Sequence, residues 1–204
     1  MIPLRKVLNN FNFQVNESID FVANINNQIG KHGLTISVKD LSNIYEISFI
    51  KIITSWEYFL ETSFISYLCG KYTRKIKPQK IVSRISEGKA YDLLKGTREY
   101  PDWTNIADVV VYSNLFFLGN NPFKIPLAAL QSHFNEMKTI RNSITHISKK
   151  SRDSFMNLVR SKLTSYNTSI TPGEFLSTPV IGKKELYLIY YSNYLLIAAN
   201  QIIV

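Results

Sequence analysis

From Asp40 to Cys69 the chain runs without a glycine or proline, and it meets Gly70 immediately afterwards. Asp40 is placed to cap a helix and Gly70 to end one, so the spacing predicts a single helix here, the longest of the fold. Ile50, Ile53, Glu57, Leu60 and Phe64 recur along it at steps of three and four, which puts an apolar stripe on one side. A helix with such a stripe must bury it against other helices. The chain is therefore expected to be an all-α bundle, with four or five main helices and short helices and loops added around them.

The rest of the pattern agrees. Ile19, Phe21, Val22, Ile25 and Ile29 predict a short amphipathic helix over Val15–Ile29, closed by Gly30, with a turn to Gly33. Ala90–Leu94 reads as a short helix, followed by an irregular stretch through Gly96, Pro101 and Trp103. Thr104 or Asn105 caps the next helix, with Ile106, Val109, Val110, Leu115 and Phe116 on its apolar side and Gly119-Asn120-Asn121-Pro122 as its stop. Pro126 then opens a helix on which Leu127, Leu130, Phe134, Met137, Ile140 and Ile144 keep helical spacing. Tyr166–Lys183, with Pro172, Gly173, Pro179 and Gly182, is either a small hairpin or a loop over a cleft. Leu186–Val204 is long enough to span a bilayer, but Glu185, Ser192, Asn193 and Asn200 fall within about 100° of one another on a helical wheel, which fits a core or dimer helix better.

At 204 residues the chain is expected to be one domain (1–204, with a motif-bearing core at about 40–150) that needs no disulfides to bury a core. Cys69 is its only cysteine, so it has no disulfide framework and no thiolate zinc site, and a reducing, cytoplasmic setting is expected. Behind Arg5 and Lys6, the asparagines of Val7–Asn12 interrupt the apolar run that a secretion signal requires. A net charge of +9 points to a polyanion, nucleic acid first and an anionic membrane surface second. Lys71, Arg74, Lys75, Lys77, Lys80 and Arg84 follow one another with no acid between them. Such a run is ordinarily a solvated face, but it also suits a nucleic-acid backbone, with Tyr72 available for stacking. His32, His133 and His146 lack the spacing of helical metal ligands, and neither a glycine-rich phosphate loop nor a Gly-x-Ser-x-Gly elbow is present, so no metal or cofactor is expected.

The chemistry concentrates in Arg141-Asn142-Ser143-Ile144-Thr145-His146. Histidine gives and takes protons near neutrality, and a guanidinium offers paired donors to phosphoryl oxygens. His146 is thus a candidate acid or base, Arg141 a candidate for stabilising phosphoryl charge, and Asn142 a candidate for orienting either. On a regular helix, five residues separate Arg141 and His146 by about 140°, so their convergence needs a distorted helix, a cleft around its edge or a second protomer. Asn142 and His146, at i,i+4, are the easier local pair. Lys149, Lys150 and Arg152 follow closely enough to line the same mouth. Glu57 either reaches Arg141 or His146 as a supporting carboxylate or lies on the edge of its stripe facing water.

Arg141, Asn142 and His146 resemble the Arg-x4-6-His motif of the HEPN superfamily, in which a polar residue usually follows the arginine. Ser55-Trp56-Glu57-Tyr58-Phe59-Leu60-Glu61 is similar to the Trp/Phe-Glu-x-Phe signature on an early core helix of several HEPN families. The resemblance implies a metal-independent endoribonuclease that acts on RNA by 2′-hydroxyl attack. It further implies a homodimer with both motifs facing one cleft, and an antitoxin or defence-system partner, since many members are bacterial toxins or effectors. His146-Ile147-Ser148 departs from the His-x-Tyr of members modified by a partner nucleotidyltransferase, which puts that mode of control in doubt. Two other readings stay open: a non-catalytic HEPN-like module that binds RNA or protein, and a membrane-associated helical protein.

Overall fold

The computed structural model describes residues 2–31, 35–83, 85–95 and 102–204; His32, Gly33, Arg84, Gly96 and Pro101, singled out above, lie outside the described residues. The protein is all-α. In chain order the helices are α1 (Leu4–Gln28), α2 (Val38–Leu68), α3 (Glu87–Lys95), α4 (Ile106–Phe116), α5 (Lys124–Ala129), α6 (Gln131–Thr145), α7 (Lys149–Lys162), α8 (Pro172–Leu176) and α9 (Tyr187–Ile203). Two short strands, β1 (Gln79–Lys80) and β2 (Phe117–Gly119), pair antiparallel.

Several boundaries differ from the sequence expectation for identifiable reasons. α1 starts at Leu4, not Val15, because Leu4, Val7, Leu8, Phe11 and Val15 form one buried stripe while Asn9 and Asn10 face solvent. α2 is the longest helix, as expected, but its cap is Ser37: the Asp40 amide donates to Ser37 Oγ at 3.0 Å, and Ser37 Oγ donates to the Asp40 carboxylate at 2.6 Å. Asp40 instead lies in the first turn, where the helix dipole favours a negative charge. At the other end Gly70 takes φ +82°, and the amides of Gly70 and Lys71 bond back to the carbonyls of Tyr67 and Ser66, a Schellman closure. α4 ends at Phe116, before the Gly119–Pro122 stop, because the next residues leave the helix to pair with β1. Pro126 sits inside the short α5, in a first turn that needs no intrahelical donor, and the motif helix α6 begins afresh after Leu130.

The chain divides into two compact units. The first comprises residues 1–12, 55–134 and 195–204. Its centre is aromatic: the Phe64 ring lies 4.9 Å from Phe123 and 5.2 Å from Phe117, and buried Tyr67 donates its hydroxyl to the Ile202 carbonyl, one of the unpaired acceptors at the end of α9. A second aromatic group places Trp56 against Phe11, Phe59 and Phe134, so the tryptophan of the Trp-Glu signature is a core residue.

The second unit comprises residues 13–54 and 135–194. The Tyr166–Lys183 stretch is part helix and part hairpin: Thr171 and Glu174 form a reciprocal capping box that winds α8, and Pro179 then bridges Leu186 antiparallel around a turn that holds Gly182. α8 packs so closely on α2 that a Cβ on Gly173 would lie 2.1 Å from the Ser42 carbonyl oxygen; the Gly173 amide donates to Glu46 at 3.0 Å. Ser192 is buried and bonds to the Leu188 carbonyl, so it leaves the polar side expected of the last helix, while Asn193 and Asn200 stay exposed. Among the described residues no helix is long and apolar enough to cross a membrane.

Candidate active site

The 140° separation of Arg141 and His146 applies to an unbroken helix, and α6 ends at Thr145. His146 is the first residue past it. Its amide still closes the last turn on the Asn142 carbonyl at 2.9 Å, and the following Ser148 amide bonds to the His146 carbonyl at 2.9 Å, which turns the chain away. Released from helical geometry, the ring meets the long Arg141 side chain, with Nη1 3.5 Å from His146 Nε2. A guanidinium only donates, so a hydrogen bond here uses the lone pair of His146 Nε2.

Asn142 partners Arg141 and not the histidine side chain expected at i,i+4: Arg141 Nη1 donates to Asn142 Oδ1 at 3.2 Å. One guanidinium nitrogen thus faces both the amide oxygen and the imidazole. Arg141 and Asn142 are half-buried and His146 is exposed, so the group opens to solvent from a supported base.

Ser148 caps α7, accepting from the Ser151 amide at 3.1 Å. Lys149 and Lys150 then occupy the first turn of α7, fully on the surface, where the positive end of a helix dipole disfavours cations. Neither has a hydrogen-bond or ion-pair partner among the described residues. Arg152 differs. Its guanidinium donates to the Ile170 carbonyl at 2.8 Å and to the Thr168 carbonyl at 3.1 Å, so it pins the loop before α8.

The sequence reading missed the polar tie that anchors the motif helix. Glu136 on α6 accepts from the buried Tyr191 hydroxyl at 2.9 Å through Oε2 and pairs with Lys162 at 2.7 Å through Oε1. Tyr187 adds a hydroxyl bond to the Lys162 carbonyl at 3.1 Å. Burial foremost, and then the Glu136 charge, push the Tyr191 phenol well above its ordinary range. Glu136 stands beside Met137 in the apolar stripe, and that position was the available signal: a carboxylate next to a core stripe needs a partner.

The remaining candidates belong to the first unit. Glu57 is half-buried on α2 and already engaged with a neighbouring group. Lys71, Arg74 and Lys75 are exposed in the segment after Gly70, whereas Lys80 of the same basic run is committed to the Leu68 carbonyl at 2.7 Å. His133 is half-buried beside Ser132. Among the described residues no cluster of three or more histidine, cysteine or acidic side chains is arranged to hold a metal ion. No protein-family model, no curated protein and no solved structure matches this chain.

Proposed function

We propose that this protein is a metal-independent endoribonuclease of HEPN type, acting as a homodimer in a toxin–antitoxin or defence setting. The approach of Arg141 Nη1 to His146 Nε2 at the end of α6 is the observation that carries the reading. With RNA bound, Arg141 turns from Nε2 to the phosphate, the Nε2 lone pair so freed takes the proton of a ribose 2′-hydroxyl, and the oxygen attacks the adjacent phosphorus. Arg141 donates to the phosphoryl oxygens as negative charge builds on them, and Asn142 holds the guanidinium in place. The bond to the 5′-oxygen breaks, that oxygen takes a proton from water, His146 returns its own to solvent, and the products carry a 2′,3′-cyclic phosphate and a 5′-hydroxyl. Lys149 and Lys150 hold the flanking backbone.

General acid–base help is typically worth about 10²–10⁴ in rate, so folded His146→Ala should lose cleavage by that order. Arg141→Lys keeps the charge but loses the planar fork, and its activity should fall as well. A folded His146→Ala protein that cuts RNA at the wild-type rate would remove the mechanism.

A binding-only reading draws on one observation: Lys71, Arg74 and Lys75 are exposed cations outside the motif. It predicts salt-sensitive RNA binding that is equal in wild type and His146→Ala, with no cleavage products.

A further inference from the structure

The first unit holds a cavity of about 510 Å³ between the start of α1, the loop after α2 and the end of α9. Its lining divides by chemistry. Leu4 and Ile203, themselves buried, make an apolar wall, and the Tyr72 side chain lies beside it. Arg5, Arg74 and Lys75 supply three cations, and no acidic side chain lines the space. All three are exposed and have no hydrogen-bond or ion-pair partner among the described residues, unlike Arg152 and Lys80.

The loop that presents two of them is held in shape. The Schellman closure at Gly70 fixes where it leaves α2. Thr73 and Ile76 then bond to each other twice: the Thr73 amide donates to the Ile76 carbonyl at 3.3 Å, and the Ile76 amide donates to Thr73 Oγ1 at 2.9 Å. Arg74 and Lys75 form the tip of this turn, so a ligand meets cations that are already placed and pays little to order the backbone. The volume falls in the range of about 300–1,000 Å³ usual for small-molecule sites. Unpaired cations at the rim, an apolar wall and an aromatic side chain match a flat ring joined to a phosphate.

We propose that this cavity binds a nucleoside phosphate, with the base against Leu4, Ile203 and Tyr72 and the phosphate on Arg5, Arg74 and Lys75. The cavity belongs to the first unit and the Arg141–His146 motif to the second. Its ligand is either a free nucleotide or the 5′-phosphorylated end of an RNA strand, which present the same chemistry.

The test is titration calorimetry on the full chain carrying His146→Ala, so that RNA stays intact. The four nucleoside 5′-monophosphates, adenosine and inorganic phosphate are compared. At least one monophosphate should bind, with adenosine and inorganic phosphate each weaker by about tenfold or more, since each lacks half of the recognition. Arg74→Ala with Lys75→Ala should weaken the nucleotide about tenfold or more, Tyr72→Ala should weaken it, and Tyr72→Phe should leave it unchanged. Restoring His146 should not alter mononucleotide binding, which separates this result from the fate of the nuclease reading. Competition by a 5′-phosphorylated oligoribonucleotide, but not its 5′-hydroxyl counterpart, would assign the site to strand ends; its absence would assign it to free nucleotide. Equal binding by the Arg74/Lys75 variant, binding of inorganic phosphate alone, or binding only to phosphatidylglycerol vesicles would overturn the proposal.

Discussion

Replacing Tyr191 by Phe tests what holds the motif helix in place. The substitution keeps the ring in its buried setting and removes only the hydroxyl that donates to Glu136 at 2.9 Å. A hydrogen bond to a charged acceptor contributes about 1.5–3 kcal/mol. Glu136 keeps its Lys162 partner and its side chain is 20% exposed, so water compensates part of the loss and the lower end applies. At about 1.5 kcal/mol, and with 2–4 °C per kcal/mol for a chain of this size, Tm should fall by roughly 3–6 °C. Denaturant unfolding of Tyr191→Phe, Glu136→Ala and the double variant completes a cycle, whose coupling should exceed about 0.5 kcal/mol. Hydrogen exchange should locate the weakening in α6. A Tyr191→Phe protein as stable as wild type, with additive effects in the cycle, would refute the claim that this network anchors the helix.

Other perturbations are equally direct. Gly173→Ala would set a Cβ 2.1 Å from the Ser42 carbonyl oxygen, so helix α8 must shift and stability should fall by about 1–3 kcal/mol, read from a denaturant midpoint. Burial raises the Glu61 carboxyl above its ordinary 4.5, with a hydrogen bond from Tyr91 partly offsetting the shift. The folded state therefore holds this proton more tightly than the unfolded state, and the contribution is present below pH 4.5 and lost as pH rises through the raised value. Glu61→Gln should accordingly gain stability relative to wild type at pH 7 compared with pH 4, measured by urea unfolding at both. Tyr45, Tyr67, Tyr187, Tyr190 and Tyr191 are all raised above 10.0, mainly by burial. Their contribution is whole below pH 10 and lost above it, so stability should drop with pH in the alkaline range, and phenolate absorbance should appear together with loss of helical circular dichroism.

The helices were legible because their stripes are regular. α2, with Ile53, Leu60 and Phe64 buried on one side and Gly70 at its end, follows from spacing and one left-handed residue. The start of α1 was not, because Asn9 and Asn10 look like an interruption until they are placed on the solvent side of the Leu4–Val15 stripe, with Asn12 half-buried at its edge. Strand β2 was hidden for another reason: its pairing with Gln79 and Lys80 joins segments far apart in the chain, and no local pattern announces it. At the site, the residue types Arg141, Asn142 and His146 could be read directly, but their convergence depends on α6 stopping at Thr145, one residue before the histidine. Arg152 shows the opposite limit. A cation beside a motif reads as a substrate contact, and only the positions of the Thr168 and Ile170 carbonyls show that it holds a loop.

Metal-free cleavage by His146 with Arg141 leaves a chemical signature on the product ends. Purified wild type and His146→Ala are incubated with a mixed RNA panel in EDTA, and the ends of any fragments are identified. Fragments are expected from the wild type alone, bearing 2′,3′-cyclic phosphates and 5′-hydroxyls. Equal cleavage by both proteins, or wild-type fragments ending in 3′-hydroxyls and 5′-phosphates, would contradict that mechanism.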